Sequence, residues 1–136
     1  MSTMTHTVPA SNGMLWTGRI LSGLVVLFLL FDGAIKFIPL DVVITTSQEL
    51  GIPAHLARTL GVLTLAGTLL YAWPRTAVLG AVLLTGYLGG AIYVHVRAGS
   101  PMFSHTLFGI YLGLLIWGGL WLRDERLRSL FPFRHD

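Results

Sequence analysis

LWTGRILSGLVVLFLLFDGAIKFI, residues 15–38, is an almost unbroken apolar run interrupted by Arg19, Asp32 and Lys36. An α-helix rises about 1.5 Å per residue and a bilayer's hydrocarbon core is about 30 Å thick, so roughly 20 apolar residues make one crossing. This run is long enough. Three more follow at 56–73, 77–96 and 106–122; the first and last of these sit near the lower limit of about 17 residues. Hydrocarbon offers no partner to backbone N–H and C=O groups, so each stretch must close its own hydrogen bonds as a helix. The sequence predicts an all-α, polytopic membrane protein with four transmembrane helices in a bundle.

Composition agrees. Of 136 residues, 54% are hydrophobic and 11% charged, against about 25% charged in soluble domains, and the mean hydropathy is +0.73. Connections are short, so residues 15–122 read as one membrane domain. Residues 1–14 are polar and small and are expected to form a disordered tail. No basic segment precedes the first apolar run, which is too long for a leader, so that span is expected to be an uncleaved anchor. The net charge of +3 comes from basic residues scattered at helix ends. With no contiguous basic face before the tail at 123–136, nucleic acid is not an expected partner, whereas membrane lipid is. The absence of cysteine excludes a thiolate nucleophile, disulfide exchange, iron–sulfur ligation and cysteine–zinc sites within the chain.

Four crossings put both ends on one side. That side holds Arg19, Arg75, Arg123, Arg126, Arg128 and Arg134, and the other holds Lys36, Arg58 and Arg97. Lys and Arg accumulate in cytoplasmic segments, so both termini are expected in the cytoplasm. Trp16, Trp73 and Trp121 fall near the same interface, with Trp117 a turn deeper. Pro74 stops the second span in a tight turn, and Gly99 and Pro101 break the chain before the fourth. The longer connection, 39–55, predicts a short interfacial helix closed by Gly51 and followed by Pro53. In the basic tail, Leu127, Leu130 and Phe131 recur at helical spacing, which suits an interfacial anchor better than a partner-binding helix. Gly86-x-x-x-Gly90 and Gly109-x-x-x-Gly113 predict close helix contacts. Packing within one chain is the favoured reading; a homo-oligomer is the other.

Between the interfaces the reading finds only hydroxyls, on Thr64, Thr68, Thr85 and Tyr87. No ionisable residue lies at the bilayer centre, and no inverted repeat is visible, which argues against a pump or transporter. Ionisable groups collect instead at the outer helix ends: Asp32 and Lys36, then His55 and Arg58, His95 and Arg97, and His105, with Gln48 and Glu49 in the connection. Asp32 and Lys36 share one stripe. Such a pair is favourable by only ~0.2–0.5 kcal/mol in water, but a lone charge in lipid costs ~2.5–3.5 kcal/mol. Either Asp32 neutralises a lysine that snorkels to the headgroups, or the two form a pocket mouth facing a ligand. His95 lies about half a turn from the Gly86/Gly90 stripe, so it lines a second seam or reaches the interface. His105 stands near a helix start. The ligand-binding candidates are therefore Asp32, Lys36, His95, Arg97 and His105. No ligand spacing supports a metal site among them.

Several blocks form a wider pattern. Gly33-x-x-Lys36-Phe37-x-Pro39 closes the first span, and Pro74-Arg75-Thr76-Ala77-Val78-Leu79-Gly80 leads into Leu84-Thr85-Gly86-Tyr87-Leu88-Gly89-Gly90. His95-Val96-Arg97 and Trp117-Gly118-Gly119-Leu120-x-Leu122-Arg123-Asp124 complete it. Together these resemble the DoxX-like family of small four-helix bacterial membrane proteins, over nearly everything after residue 15. The resemblance implies a bundle in the bacterial inner membrane, with Lys36, His95 and Arg97 as the family's polar set. Relatives are associated with thiosulfate:quinone oxidoreductase subunits and with membrane redox or quinone-stress systems. Some carry an acidic residue in the second helix, where this chain has Thr64.

The leading expectation is a membrane subunit that binds a quinone or other small amphipathic molecule near the outer leaflet, serving redox chemistry run by a partner protein. Lys36, Arg97 and His95 would donate to a carbonyl or anionic oxygen, with Asp32 orienting Lys36. No haem or flavin motif is visible, so no cofactor beyond a quinone is expected, and any enzymatic role is at most that of an oxidoreductase-associated subunit. The alternatives are a non-catalytic scaffold whose polar layer fixes helix register, and, less favoured, a lipid or small-molecule permease.

Overall fold

The computed structural model describes residues 11–38 and 41–134. Among these residues there are six α-helices: α1 (Asn12–Ile35), α2 (Asp41–Glu49), α3 (Ala57–Ala72), α4 (Ala77–Ala98), α5 (Phe108–Arg123) and α6 (Glu125–Leu130). Residues 1–10, to which most of the expected N-terminal tail belongs, lie outside the described part.

Local chemistry sets the boundaries. The first span begins about three residues earlier than its hydropathy suggests, because the Ser11 side chain accepts from the Met14 amide at 3.2 Å and caps α1. It also ends about three residues earlier, where the Lys36 and Phe37 amides tighten onto the Gly33 and Ala34 carbonyls. Hydropathy averages along the chain and is blind to a cap. The short helix expected in the 39–55 connection is α2. It ends at a left-handed Gly51 (φ 71°), which lets the Ile52 amide reach the Ser47 carbonyl at 2.8 Å. Pro74–Thr76 forms a 3-10 turn that joins α3 to α4 with no slack.

Three segments are long and apolar enough to cross a membrane: Asn12–Ile35, Pro74–Ala98 and Met102–Arg123. The remaining apolar helix, α3, has 16 residues and reaches only about 24 Å. Helix α1 packs on α3 and α5, and α4 packs on the same two, giving a four-sided bundle. Val25 and Leu29, Tyr71, Ala81, Leu84 and Leu88, and Leu112, Ile116 and Leu120 fill its centre. Its outside is equally apolar, with Ile20, Leu24, Leu27, Phe31, Leu63, Leu69, Val82, Leu83 and Leu114 all exposed. A water-soluble domain does not display such a belt. The protein is a multi-pass membrane protein.

The glycine reading needs correction. A Cβ at Gly86, Gly90 or Gly113 would meet nothing within 4 Å, so these residues do not bring helices together. Of the two motifs only Gly109 packs closely, against Ile92 of α4 at 2.8 Å. The close crossings lie elsewhere. A Cβ at Gly18 would sit 2.7 Å from the Gly119 carbonyl oxygen, and one at Gly80 would overlap the Tyr71 backbone nitrogen and lie 2.5 Å from its Cα. A spacing motif describes one helix surface and says nothing of what faces it.

Near the face that carries α1's start and α5's end, a buried polar chain ties three helices. Arg123 Nε donates to Ser22 Oγ at 3.1 Å, Ser22 Oγ lies 2.8 Å from the Tyr71 hydroxyl, and Tyr71 donates to the Ile116 carbonyl at 2.6 Å. Ser22 and Tyr71 were absent from the hydroxyls expected inside the span, yet both are buried. Tyr71→Phe removes the acceptor of the Ser22 hydroxyl proton, leaving Ser22 only its bond from Arg123, and is expected to cost about 1–3 kcal/mol. Thermal melting in detergent should show this, and adding Ser22→Ala should cost less than Ser22→Ala does in the parent protein, because the Ser22–Tyr71 contact is shared.

The basic tail folds back as α6 onto the end of α5. Asp124 caps α6 by accepting from the Arg126 and Leu127 amides. Leu127 enters the core, while Leu130 and Phe131 stay exposed. Arg128 is only 4% exposed and donates through Nη1 to the Trp121 and Leu122 carbonyls, closing the open end of α5.

Candidate ligand cavity

At the opposite face, where α1 and α4 end and α3 and α5 begin, the helices enclose a cavity of about 660 Å³. Phe28, Leu29 and Ile35 of α1, Leu60 of α3, Ile92 of α4, and Phe108 and Leu112 of α5 form apolar walls. Helix α2 covers one side through Val43, Thr46 and Ser47, with Leu50 just past its end. Phe28 and Phe108 meet edge-to-face with centroids 5.3 Å apart, linking α1 to α5 beside the space.

Asp32, Lys36, His95, Arg97 and His105 all line this one cavity. Lys36 Nζ donates to Asp32 Oδ2 at 2.5 Å and to the Asp32 carbonyl at 3.2 Å. The lysine side chain is 17% exposed and the aspartate 33%, so the pair straddles the cavity mouth rather than the core. Spacing of four on one helix makes this contact local.

The histidines arrive by different routes. Helix α4 ends at a left-handed Gly99 (φ 71°), and the Ser100 amide turns back to the His95 carbonyl at 3.0 Å. That return places Ser100 Oγ 3.0 Å from His95 Nδ1. His105 sits on the π-turn Met102–Thr106 ahead of α5, its Nδ1 2.7 Å from Ser104 Oγ. The two rings stand 5.9 Å apart at 63°. In each ring Nδ1 is engaged by a serine, and Nε2 is the remaining nitrogen. Arg97 is exposed and has no hydrogen-bond or ion-pair partner among the described residues.

Gly86 and Gly90 line the same cavity as His95. The expected conflict between a glycine stripe and the histidine on one helix does not arise, because the glycines widen a space instead of packing. About 13 Å of helical rise separates Gly86 from His95, both on the cavity wall. Other members of the expected outer polar layer, Gln48, Glu49, His55 and Arg58, are not on its wall. The hydroxyls of Thr46 and Ser47 were not anticipated, and neither were the serines beside the histidines. Among the described residues no three His, Asp or Glu side chains gather as a metal site.

Comparison with protein families matches residues 20–119 to the DoxX-like family. The chain belongs to the DoxX-like family. The matched stretch contains the whole cavity wall from Phe28 to Leu112. Comparison with curated proteins and with solved structures returned no match. In this DoxX-like protein Thr64 is buried and spends its hydroxyl on the Leu60 carbonyl at 2.9 Å, away from the cavity.

Proposed function

We propose that this DoxX-like protein binds a small amphipathic molecule with oxygen acceptors on its head, a quinone among them, and serves as the membrane subunit of a redox system. One observation carries the reading: five ionisable residues from the ends of α1 and α4 and the turn ahead of α5 share the wall of a single, otherwise apolar cavity. Its volume falls within the ~300–1,000 Å³ usual for small-molecule sites, which are mostly apolar with a few convergent polar groups. Lys36 and the histidines donate to the head, Asp32 holds Lys36 in place, and the tail lies among Leu29, Ile92 and Leu112. Electron transfer belongs to a partner protein. The distribution of Arg and Lys favours cytoplasmic termini in a bacterial inner membrane, with the cavity in the outer leaflet.

The test is binding of decylubiquinone to the full chain in phosphatidylcholine nanodiscs, with mass spectrometry of quinones and lipids that co-purify. Lys36→Leu and His95→Leu are each expected to weaken binding about tenfold, the worth of one hydrogen bond to a charged or well-placed donor. Melting temperatures should stay near that of the parent protein. A specific observation favours a second reading, a scaffold: Asp32 and Lys36 satisfy one another within α1 without any ligand. A protein that binds no quinone, and whose melting point falls in the Lys36→Leu variant, supports the scaffold.

A further inference from the structure

We infer that the cavity prefers an amphipathic acid, a carboxylate or phosphate head with an apolar tail, over a neutral amphipath of the same length. The inference rests on the cavity being the ligand site and names the class of ligand.

Charge is the first argument. Asp32 is the acidic residue on the wall, and Lys36 already neutralises it at 2.5 Å. What remains is Arg97, His95 and His105, each cationic or neutral. Asp41 and Glu49 of α2, the nearest acidic residues in sequence, do not line the space. The mouth therefore carries an uncompensated positive charge, focused by low-dielectric walls. Arg97 contributes a planar fork of donors with no partner among the described residues. That fork matches the paired oxygens of a carboxylate or phosphate. A neutral head would accept the same bonds at roughly half the strength.

The histidines support the same polarity. Where a serine hydroxyl donates to Nδ1, the ring proton sits on Nε2, and the ring offers a donor. Ser100 and Ser104 are positioned for that role. Shape supplies the tail. Between Arg97 and Gly86 the wall runs about 16 Å along α4, half the ~30 Å hydrocarbon core. Gly86 and Gly90 leave open space where side chains would stand. The acidic head can belong to a free single-chain acid or to an anionic lipid; the recognition chemistry is shared.

Calorimetric titration of the full chain in phosphatidylcholine nanodiscs, with empty discs subtracted, tests the inference using dodecanoate and 1-dodecanol. Dodecanoate is expected to bind about tenfold more tightly, and Arg97→Gln to erase that ratio while Arg97→Lys restores part of it. Helical content by circular dichroism should be the same in all three proteins. A second set of discs containing phosphatidylglycerol separates the sources. If that lipid displaces dodecanoate from the parent protein but not from Arg97→Gln, the acid is a lipid headgroup; if dodecanoate stays bound, it is a free acid. Equal binding of the two probes, or a ratio untouched by Arg97→Gln, overturns the inference. A protein that binds decylubiquinone without that preference leaves the broader reading intact, whereas one that binds no tailed probe removes both.

Discussion

Gly80→Ala is expected to be the most damaging small substitution in this protein. The added methyl would overlap the Tyr71 backbone nitrogen and stand 2.5 Å from its Cα and 2.7 Å from the Leu70 carbonyl carbon. Those atoms are main chain and cannot swing aside as a side-chain tip would. Helix α4 would have to lift off α3, but Pro74–Thr76 tethers the two at this end, and Thr76 Oγ1 donates to the Leu70 carbonyl at 2.6 Å. Overpacking usually costs about 1–3 kcal/mol, and this site belongs at or above the top of that range. Thermal melting in detergent should show a large drop, and Gly80→Leu should yield little folded protein. Gly86→Ala provides the contrast on the same helix. Nothing lies within 4 Å of its Cβ, so the substitution should be neutral or gain up to about 1 kcal/mol of helix propensity. A Gly80→Ala protein as stable as the parent would mean that α3 and α4 do not cross as described.

Gly90→Leu is the complementary experiment, with the effect on binding instead of folding. Gly90 lies on the cavity wall with nothing within 4 Å of its Cβ. A leucine there fills the space meant for the tail. Excluding or distorting a ligand by overpacking of about 1–3 kcal/mol corresponds to roughly a ten- to hundredfold loss of affinity for decylubiquinone. The melting temperature should hold or rise, since a helical glycine has been replaced by a better helix former. Unchanged binding would show that the ligand does not pass Gly90. A change in oligomeric state by size-exclusion chromatography would show instead that this glycine face meets a second copy of the chain.

These two glycines also show what could be read in advance. The long apolar runs fix class and helix number because hydrocarbon permits few alternatives, and of the ionisable residues at the outer helix ends five line one cavity while Gln48, Glu49, His55 and Arg58 do not. Position puts Asp32, Lys36, His95, Arg97 and His105 at one end of the bundle, but does not separate them from the four that stay off the wall. The role of each glycine could not be read from position either. Gly80 and Gly86 differ only in what stands opposite, a property of the neighbouring helix. Tyr71 and Ser22 escaped for a similar reason: Tyr71 precedes Trp73 and Pro74 and reads as an interfacial aromatic, while its partners lie far away in sequence on α1 and α5. Arg128 reads as one more tail arginine until α6 folds back and presents it to the end of α5.

The shortness of α3 has a consequence for the surrounding lipid. Its 16 residues cover about 24 Å, several ångströms less than an average hydrocarbon core, while α4 with 22 residues reaches about 33 Å. A stubby wall beside a tall one creates hydrophobic mismatch on one flank only, and the leaflets there must pinch or the bundle must lean. Acyl-chain length thereby becomes a variable expected to act on the α3 flank more than on the α4 flank.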